Sequence, residues 1–588
     1  MNSINLIILI CAGLAVASVF TSVIAFRAGA PLLLLFLAIG LLAGRNGPGG
    51  IVFTDARAAF LIGSAALAVI LFDSGFHTGF KSYRQAAAPA ILLATFGVAI
   101  TAAVVALAGH SLLDLTWPQA LLLGTVLSST DAAALFFLLR VGGITIRDRV
   151  RSTLEVESGT NDPVAAALTM TAVGLLAGGD IHWVGLAPRF AAEMGGGALF
   201  GLAGGTAIVL VVNRLKLEPG LYPVVVMSLA ILIFALTNLV GGSGFLAAYL
   251  AGLVAGNARL QWAGALRRFQ EGITWLAQIA MFVTLGLLAT PSHFFALAAP
   301  GALAAVALIF IARPIAVYIC LAPFHFSKRE RFFIAWVGLR GAVSILLGLL
   351  PMLGGIPGGE IFFDISFLVV VASLVVQGWT VRPLARWLGL IVPERSGPAD
   401  RMEIDLPGLA DRELVAYVLH PDSGVAQGRS LPRWARPLLV RRGQRVLSSP
   451  RQLLAGDRVY LMVPRVQVSL LDTLFGRSRG TGDTDTALYG DFAVGPEIPL
   501  GSLREAYDLP LSDVDDRVPL SELFRREFRT DIELGDRLQL GPVDLIVRDM
   551  RDGKITSVGI SLEPWAKPQI GWERFKTRLS AILGIPAG

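Results

Sequence analysis

Apolar residues occur in long blocks through the first two-thirds of the chain. Stretches at 4–26, 31–43, 58–75, 87–109, 118–139, 152–176, 187–212, 221–240, 244–257, 272–290, 294–322, 331–350 and 361–390 are dominated by Ala, Leu, Val, Ile, Phe and Gly. A membrane-spanning helix needs ~17–25 such residues, so the pattern predicts about thirteen spans, those at 31–43 and 244–257 being the shortest. The alternation of an outer-membrane barrel is absent. From residue 394 onward Arg, Asp, Glu and Pro become frequent and the pattern turns to short strands. The expected fold is an all-α polytopic membrane domain over 1–392 followed by a cytoplasmic α+β region. The apolar N-terminus lacks a basic leader region and reads as a retained first span.

Polar residues interrupt four of these blocks. Leu127-Ser128-Ser129-Thr130-Asp131 lies in the fifth and Glu157-Ser158-Gly159-Thr160-Asn161-Asp162-Pro163 in the sixth. Ala312-Arg313-Pro314 lies in the eleventh and Gly338-Leu339-Arg340-Gly341 in the twelfth. Small polar residues and glycine weaken a helix interior, so the fifth and twelfth spans are expected to be broken. The bland alternative is hydroxyls bonded back to their own helix and a glycine packing contact.

Charge in the loops sets the orientation. Arg27, Lys81, Arg84, Arg140, Arg147, Arg149, Arg151, Arg214, Lys216, Arg259, Arg267, Arg268, Lys328, Arg329 and Arg331 fall in one set of alternate loops; the other holds little beyond Arg45, Arg57 and Arg189. The positive-inside rule puts the first set in the cytoplasm, the N-terminus outside and the soluble tail inside. Asp131 is then nine residues from Arg140, Asp162 eleven from Arg151, Arg340 nine from Arg331, and Arg313 nine from the span end at Ala322. At 1.5 Å per residue all four lie about 15 Å deep, near the midplane. An ionisable group there costs at least ~2.5–3.5 kcal/mol on insertion scales and usually lines an ion or proton path.

The chemistry follows from the donor types. Ser158 and Asp162 are four apart and share a helix face; Glu157 and Asn161 share the adjacent one. Pro163 cannot donate to the carbonyl of Gly159, which leaves that oxygen open to a ligand or water. Carboxylates, a hydroxyl and loose carbonyls make an oxygen-only site suited to a hard cation. One carboxylate that holds either a proton or a metal cation is enough to link two opposing fluxes. Glu157 is expected to be structural, paired with Arg313 first and Arg340 second. Asp73 is either a secondary polar contact or an interfacial residue; Glu193, His110 and His182 read as interfacial. Cys11 and Cys320 lie in apolar blocks and make neither a disulfide framework nor a metal site. The net charge of +6 reflects loop arginines rather than a nucleic-acid surface.

These residues resemble the NhaP-type monovalent cation/proton antiporters. The carrying pieces are Phe72-Asp73-Ser74-Gly75, Ser129-Thr130-Asp131-Ala132, Glu157 through Pro163, Ala312-Arg313-Pro314 and Gly338-Leu339-Arg340-Gly341-Ala342, in the family's order. The resemblance implies a thirteen-helix homodimer with inverted repeats and crossed, broken fifth and twelfth helices. It implies that Asp162 is the essential ion and proton carboxylate, that Asp131, Ser158 and the Thr130 carbonyl are further ligands, and that Asn161 marks the electroneutral subgroup. The family often has Glu where this chain has Asp73. No cofactor is implied.

The tail resembles two regulatory modules. Residues 402–473, with Gly456-Asp457-Arg458 before the last strand, look like the C-terminal lobe of potassium-conductance regulators. Residues 484–568, with Gly535-Asp536-Arg537, Leu545-Ile546-Val547-Arg548 and Gly553-Lys554-Ile555, look like the transporter-associated domain of CorC-type proteins, and 569–588 form a C-terminal tail. That combination implies K+/H+ exchange in a bacterial inner membrane, with an unidentified cytoplasmic ligand. Na+ as the principal cation is the near alternative. A K+ channel lacks its Thr-Val-Gly-Tyr-Gly filter, a non-transporting sensor has no need of midplane acids, and an ATP-driven pump lacks its phosphate loop.

Overall fold

The computed structural model of the protein describes residues 2–28, 31–45, 47–141, 144–178, 183–215, 217–258, 260, 262–392, 401–404, 412–423, 425–426, 431, 435, 437–448, 453–464, 468–475, 489–490, 492–507, 517–528, 532–540, 543–551 and 554–561. The expected tail 569–588 lies outside these residues, as do His182, Lys216, Arg259, Arg436 and Gly553. The chain divides into two units, 1–393 and 394–588.

The first unit is helical. Its elements are α1 (Asn2–Ala28), α2 (Leu32–Ala43), α3 (Ala56–His77), α4 (Phe80–Leu92), α5 (Val98–Leu112), α6 (Trp117–Val126), α7 (Ala132–Val141), a short strand β1 (Thr145–Ile146), α8 (Asp148–Leu176), α9 (Trp183–Arg214), α10 (Leu221–Leu239), α11 (Gly244–Gly256), α12 (Ala263–Leu288), α13 (Pro291–Val306), α14 (Arg313–Cys320), α15 (Lys328–Trp336), α16 (Ala342–Leu347), α17 (Leu350–Leu353), α18 (Glu360–Trp387) and β2 (Ile391–Val392). Among the described residues, seven helical stretches are long and apolar enough to cross a membrane: 56–77, 86–112, 188–214, 221–239, 263–288, 291–320 and 360–387. Two of them, 86–112 and 291–320, each run through a π-helical stretch, Leu93–Gly97 and Ala307–Ala312.

Hydropathy located the helices better than their ends. α12 begins at Ala263, not at 272, so Arg267, Arg268 and Glu271 are helical rather than loop residues. The buried Leu266 and Gln270 share one face of this lead-in, an amphipathic turn that average hydropathy hides. Starts elsewhere are set by caps. The Asp55 carboxylate accepts the N–H groups of Arg57 and Ala58 ahead of α3, and Ser327 with Glu330 forms a reciprocal capping box ahead of α15.

The fifth predicted span is interrupted at 127–131, between α6 and α7, and the twelfth at 337–341, between α15 and α16. The sixth is not: α8 runs unbroken through Pro163. β1 and β2 pair antiparallel, Thr145 opposite Val392 and Ile146 opposite Ile391. The Arg147 N–H donates to Leu390 O at 3.3 Å. The end of this unit is thereby fastened to the turn that starts α8.

The second unit holds two antiparallel sheets. The strands β3 (Arg401–Ile404), β4 (Arg412–Val418), β5 (Pro437–Arg442), β6 (Arg445–Leu447) and β7 (Arg458–Pro464) precede α19 (Val468–Phe475); β8 (Phe492–Val494), α20 (Leu500–Tyr507), α21 (Leu520–Phe528), β9 (Arg537–Leu540), β10 (Val543–Arg551) and β11 (Lys554–Ser561) follow. The first sheet has the order β3-β4-β7-β5-β6 and the second β8-β11-β10-β9. Tyr417, Val459 and Leu461 pack with Leu471 and Phe475 of α19 in one core. Leu545, Val547 and Val558 pack with Leu520 and Phe524 in another.

Candidate functional site

The site is built where the two interruptions meet α8. Within residues 125–130 the hydroxyls divide into two groups. Thr125 and Ser128 bond back to the carbonyls of Leu122 and Thr125, at 2.9 and 2.7 Å, the bland use of a hydroxyl in a membrane helix. Ser129 and Thr130 reach across to α8 instead. Ser129 Oγ donates to Asp162 Oδ1. The Thr130 carbonyl accepts the Ser158 hydroxyl at 3.1 Å, and Thr130 Oγ1 accepts Asn161 Nδ2 at 2.5 Å. Ser129, Thr130, Asn161 and Asp162 are all buried. Asn161 Oδ1 is buried with no hydrogen-bond partner.

The second interruption closes the arrangement. The Asp131 N–H donates to Leu339 O at 2.7 Å, and Arg340 Nη1 donates to Ser129 O at 2.5 Å. Each break thus satisfies backbone groups that the other leaves without a helical partner, as hydrocarbon depth requires. α18 supplies the rest. Ser373 Oγ accepts the Arg340 N–H at 3.0 Å and donates to Gln377 Oε1, while Gln377 Nε2 donates to Trp336 O. A Cβ on Gly341 would overlap the Asp131 carboxylate, so the two breaks approach at a distance that only glycine permits. Asp131 Oδ1 accepts the Ala134 N–H at 3.3 Å, at the start of α7.

Glu157 is held by Arg313 through both carboxylate oxygens, at 2.5 and 3.0 Å, with both side chains buried. Arg340 is the backbone clamp and takes no part in that pair. Asp73 lies apart from the midplane group, with His77 Nδ1 3.1 Å from its Oδ1.

A cavity of about 280 Å³ gives access to the site. Asp131, Ser158 and Asp162 line it, together with Asp73, His77, Arg151, Glu155 and Glu271. Its α8 wall runs through Arg151, Glu155, Ser158 and Gly159 and ends at Asp162; no residue of α8 beyond Asp162 contributes.

The sodium/hydrogen exchanger transmembrane family matches residues 14–387. The chain belongs to that family. It is 41% identical over 573 residues to the K+/H+ antiporter NhaP of Alkalimonas amylolytica, covering 95% of this chain and 99% of that protein. Against the K+/H+ antiporter NhaP2 of Shewanella oneidensis the identity is 40% over 571 residues, with 95% and 99% covered. The Na+/H+ antiporter NhaH of Halobacillus aidingensis is 30% identical over 348 residues, 56% of this chain and 83% of that protein. The sodium proton antiporter MjNhaP1 from Methanocaldococcus jannaschii at pH 8 superposes with a TM-score of 0.55 at 23% identity, covering 63% of this chain and 99% of that chain. This exchanger is thus a multi-pass membrane transporter with the sodium/proton antiporter fold and a sheet-bearing C-terminal region.

Sequence analysis singled out Asp131, Thr130, Glu157, Ser158, Asn161, Asp162, Arg313 and Arg340, and the structure brings these eight together. Asp73 lines the same cavity as Asp131, Ser158 and Asp162. Three contributors were missed. In the sequence Ser129 is one member of the polar run 128–131, with nothing local to set it apart from Ser128. Ser373 and Gln377 are four apart in an apolar span, a one-faced polar pair that would have pointed to them. A further pair, His293 Nδ1 and Asp364 Oδ2 at 3.1 Å, joins the starts of α13 and α18. It lies at the opposite end of α18 from β2.

Proposed function

We propose that this exchanger expels cytoplasmic K+ in return for H+, one for one, with proton and cation taking turns on Asp162. The observation that carries this reading is the cavity that ends on Asp162. A buried carboxylate reached by water from one side at a time can pass an ion only by exchanging it. Asp131, Ser158 and the Thr130 carbonyl complete a set of hard oxygen ligands fit for an alkali cation. The Glu157–Arg313 pair, Arg340 and Asn161 hold the geometry, and Asp73 with His77 marks the cytoplasmic mouth. A single carboxylate neutralised by either K+ or H+ makes the cycle electroneutral. No cofactor is needed.

K+ is favoured because relatives named K+/H+ antiporters align with nearly the whole chain, tail included. The relative named for Na+ aligns with 56% of it. We count thirteen spans by joining α4 to α5, α6 to α7, α13 to α14, and α15 through α17. The reciprocal hydrogen bonds between the two breaks support an inverted repeat. The cavity faces the cytoplasm in this reading, with the N-terminus outside and the tail inside a bacterial inner membrane, and the arginine-rich start of α8 supports that orientation. The protein works as a homodimer. The modules at 402–473 and 484–568 bind a cytoplasmic ligand that adjusts exchange.

Proton movement in everted vesicles tests the reading. Adding K+ should drive exchange that Asp162→Asn abolishes. A response to Na+ with none to K+ would reverse the cation assignment. A K+ conductance without proton movement would make the protein a channel.

A further inference from the structure

Ser129 has two attachments. Its carbonyl is held by Arg340, and its hydroxyl is bonded to Asp162. The neighbouring Asp131 N–H is tied to Leu339 O, so the backbone on either side of the serine is pinned by the second break. Both pins act on the main chain, and the hydroxyl's own bond is the one to Asp162. Ser128, also past the end of α6 at Val126, spends its hydroxyl on Thr125 O, whereas the Ser129 hydroxyl is given to Asp162.

We infer that Ser129 is an ion-site residue acting in both halves of the cycle: its hydroxyl donates to Asp162 while no cation is present, then turns its oxygen toward the cation. A hydroxyl is suited to this because it carries one rotatable donor and two acceptor lone pairs. As donor it supports the carboxylate between the loss of its proton and the arrival of the cation, when an unpartnered buried charge is costly. As acceptor it is a hard oxygen of the same kind as Ser158 and the Thr130 carbonyl. The clamp from Arg340 keeps the residue in place through the change. Only the O–H bond has to swing.

The inference rests on Asp162 being the exchange carboxylate, and the test separates the two claims. Exchange is followed in everted vesicles for wild type, Ser129→Ala, Ser129→Thr, Ser129→Cys and Asp162→Asn. Ser129→Ala should raise the KM for K+ about tenfold or more, in line with a lost polar contact to a charged group. Its acid limb should also move to higher pH, because protons then compete better for a carboxylate without its donor. Ser129→Thr, which keeps the hydroxyl, should restore both. Ser129→Cys offers a soft ligand, so it should shift preference from K+ toward Tl+, and it serves if the alanine variant does not accumulate in the membrane. An unchanged KM and pH profile in Ser129→Ala, an equal loss in the alanine and threonine variants, or an unchanged K+/Tl+ ratio in Ser129→Cys overturns the inference while leaving Asp162 its role. Exchange that persists in Asp162→Asn overturns the underlying reading instead.

Discussion

Arg313 grips both carboxylate oxygens of Glu157 from the start of α14, joining that helix to α8 one turn before Asp162. The pair is sealed from solvent, and a Cβ on Gly338 would press against the Arg313 side chain. The clamp therefore ties α8 to the helix beside it and to the second break. Removing one partner strands the other charge in the bundle.

Glu157→Ala and Arg313→Ala should each destabilise the protein by ~3–5 kcal/mol, since each leaves an uncompensated buried charge. The double substitution to Leu and Met should recover much of that loss. Thermal unfolding in detergent, followed by size-exclusion fluorescence, measures both. Additive losses in the double variant would show that the two side chains do not act as a pair.

Gly341→Ala should disturb exchange through Asp131. The added methyl would meet the carboxylate where the two breaks touch. Overpacking of this kind typically costs ~1–3 kcal/mol, so the protein should still fold while K+ affinity falls. Vesicle exchange at several K+ concentrations measures the change. Wild-type affinity would mean that Asp131 takes no part in binding.

Exchange through one carboxylate moves no net charge. In proteoliposomes, an anion diffusion potential of either sign should leave the exchange equilibrium where it was. A shift in the equilibrium with voltage would require a second titrating group.

The tail carries its own acid-sensitive contact. Arg442 Nε and Nη2 donate to the two oxygens of Asp457, each at 2.8 Å, and the Leu454 N–H adds a third bond. The Arg442 guanidinium, helped by that N–H, holds the Asp457 carboxyl below its usual value. Because the native pKa is depressed, the stabilisation is present above about pH 4, the unfolded value, and is lost as pH falls through the native one. Asp457→Asn should therefore speed proteolysis of the tail at pH 7 in the full-length protein. The gap between variant and wild type should close as the medium is acidified. A gap that widens in acid would contradict the assignment.

The strand pair β1–β2 predicts a mechanical link. With the Arg147 N–H on Leu390 O, the register makes Val392 the ladder donor of β2, so Val392→Pro removes that bond where the chain leaves the membrane unit and amide exchange at Arg147 should quicken. Unchanged protection there would mean that the pair carries no load.

Much of this was legible beforehand for simple reasons. Asp131, Asp162, Arg313 and Arg340 stood out because hydrocarbon tolerates few charges, and a rise of 1.5 Å per residue turns loop distances into depth. The choice of Arg313 over Arg340 for Glu157 was only ranked, because both arginines were placed at one depth and depth says nothing about rotation around a helix. The lead-in of α12 was missed because its charged residues lower mean hydropathy while its buried face remains apolar.

Local composition by itself determined where the long apolar helices lie and where two predicted spans break. Each of these depends on the transfer free energy of residues close together in the chain. Only the tertiary structure decided that Ser129 serves Asp162 while Ser128 serves its own helix, that the two breaks satisfy each other, and that a cavity reaches the carboxylate. Those outcomes depend on the angle and spacing of segments as far as 211 residues apart, which no local pattern encodes.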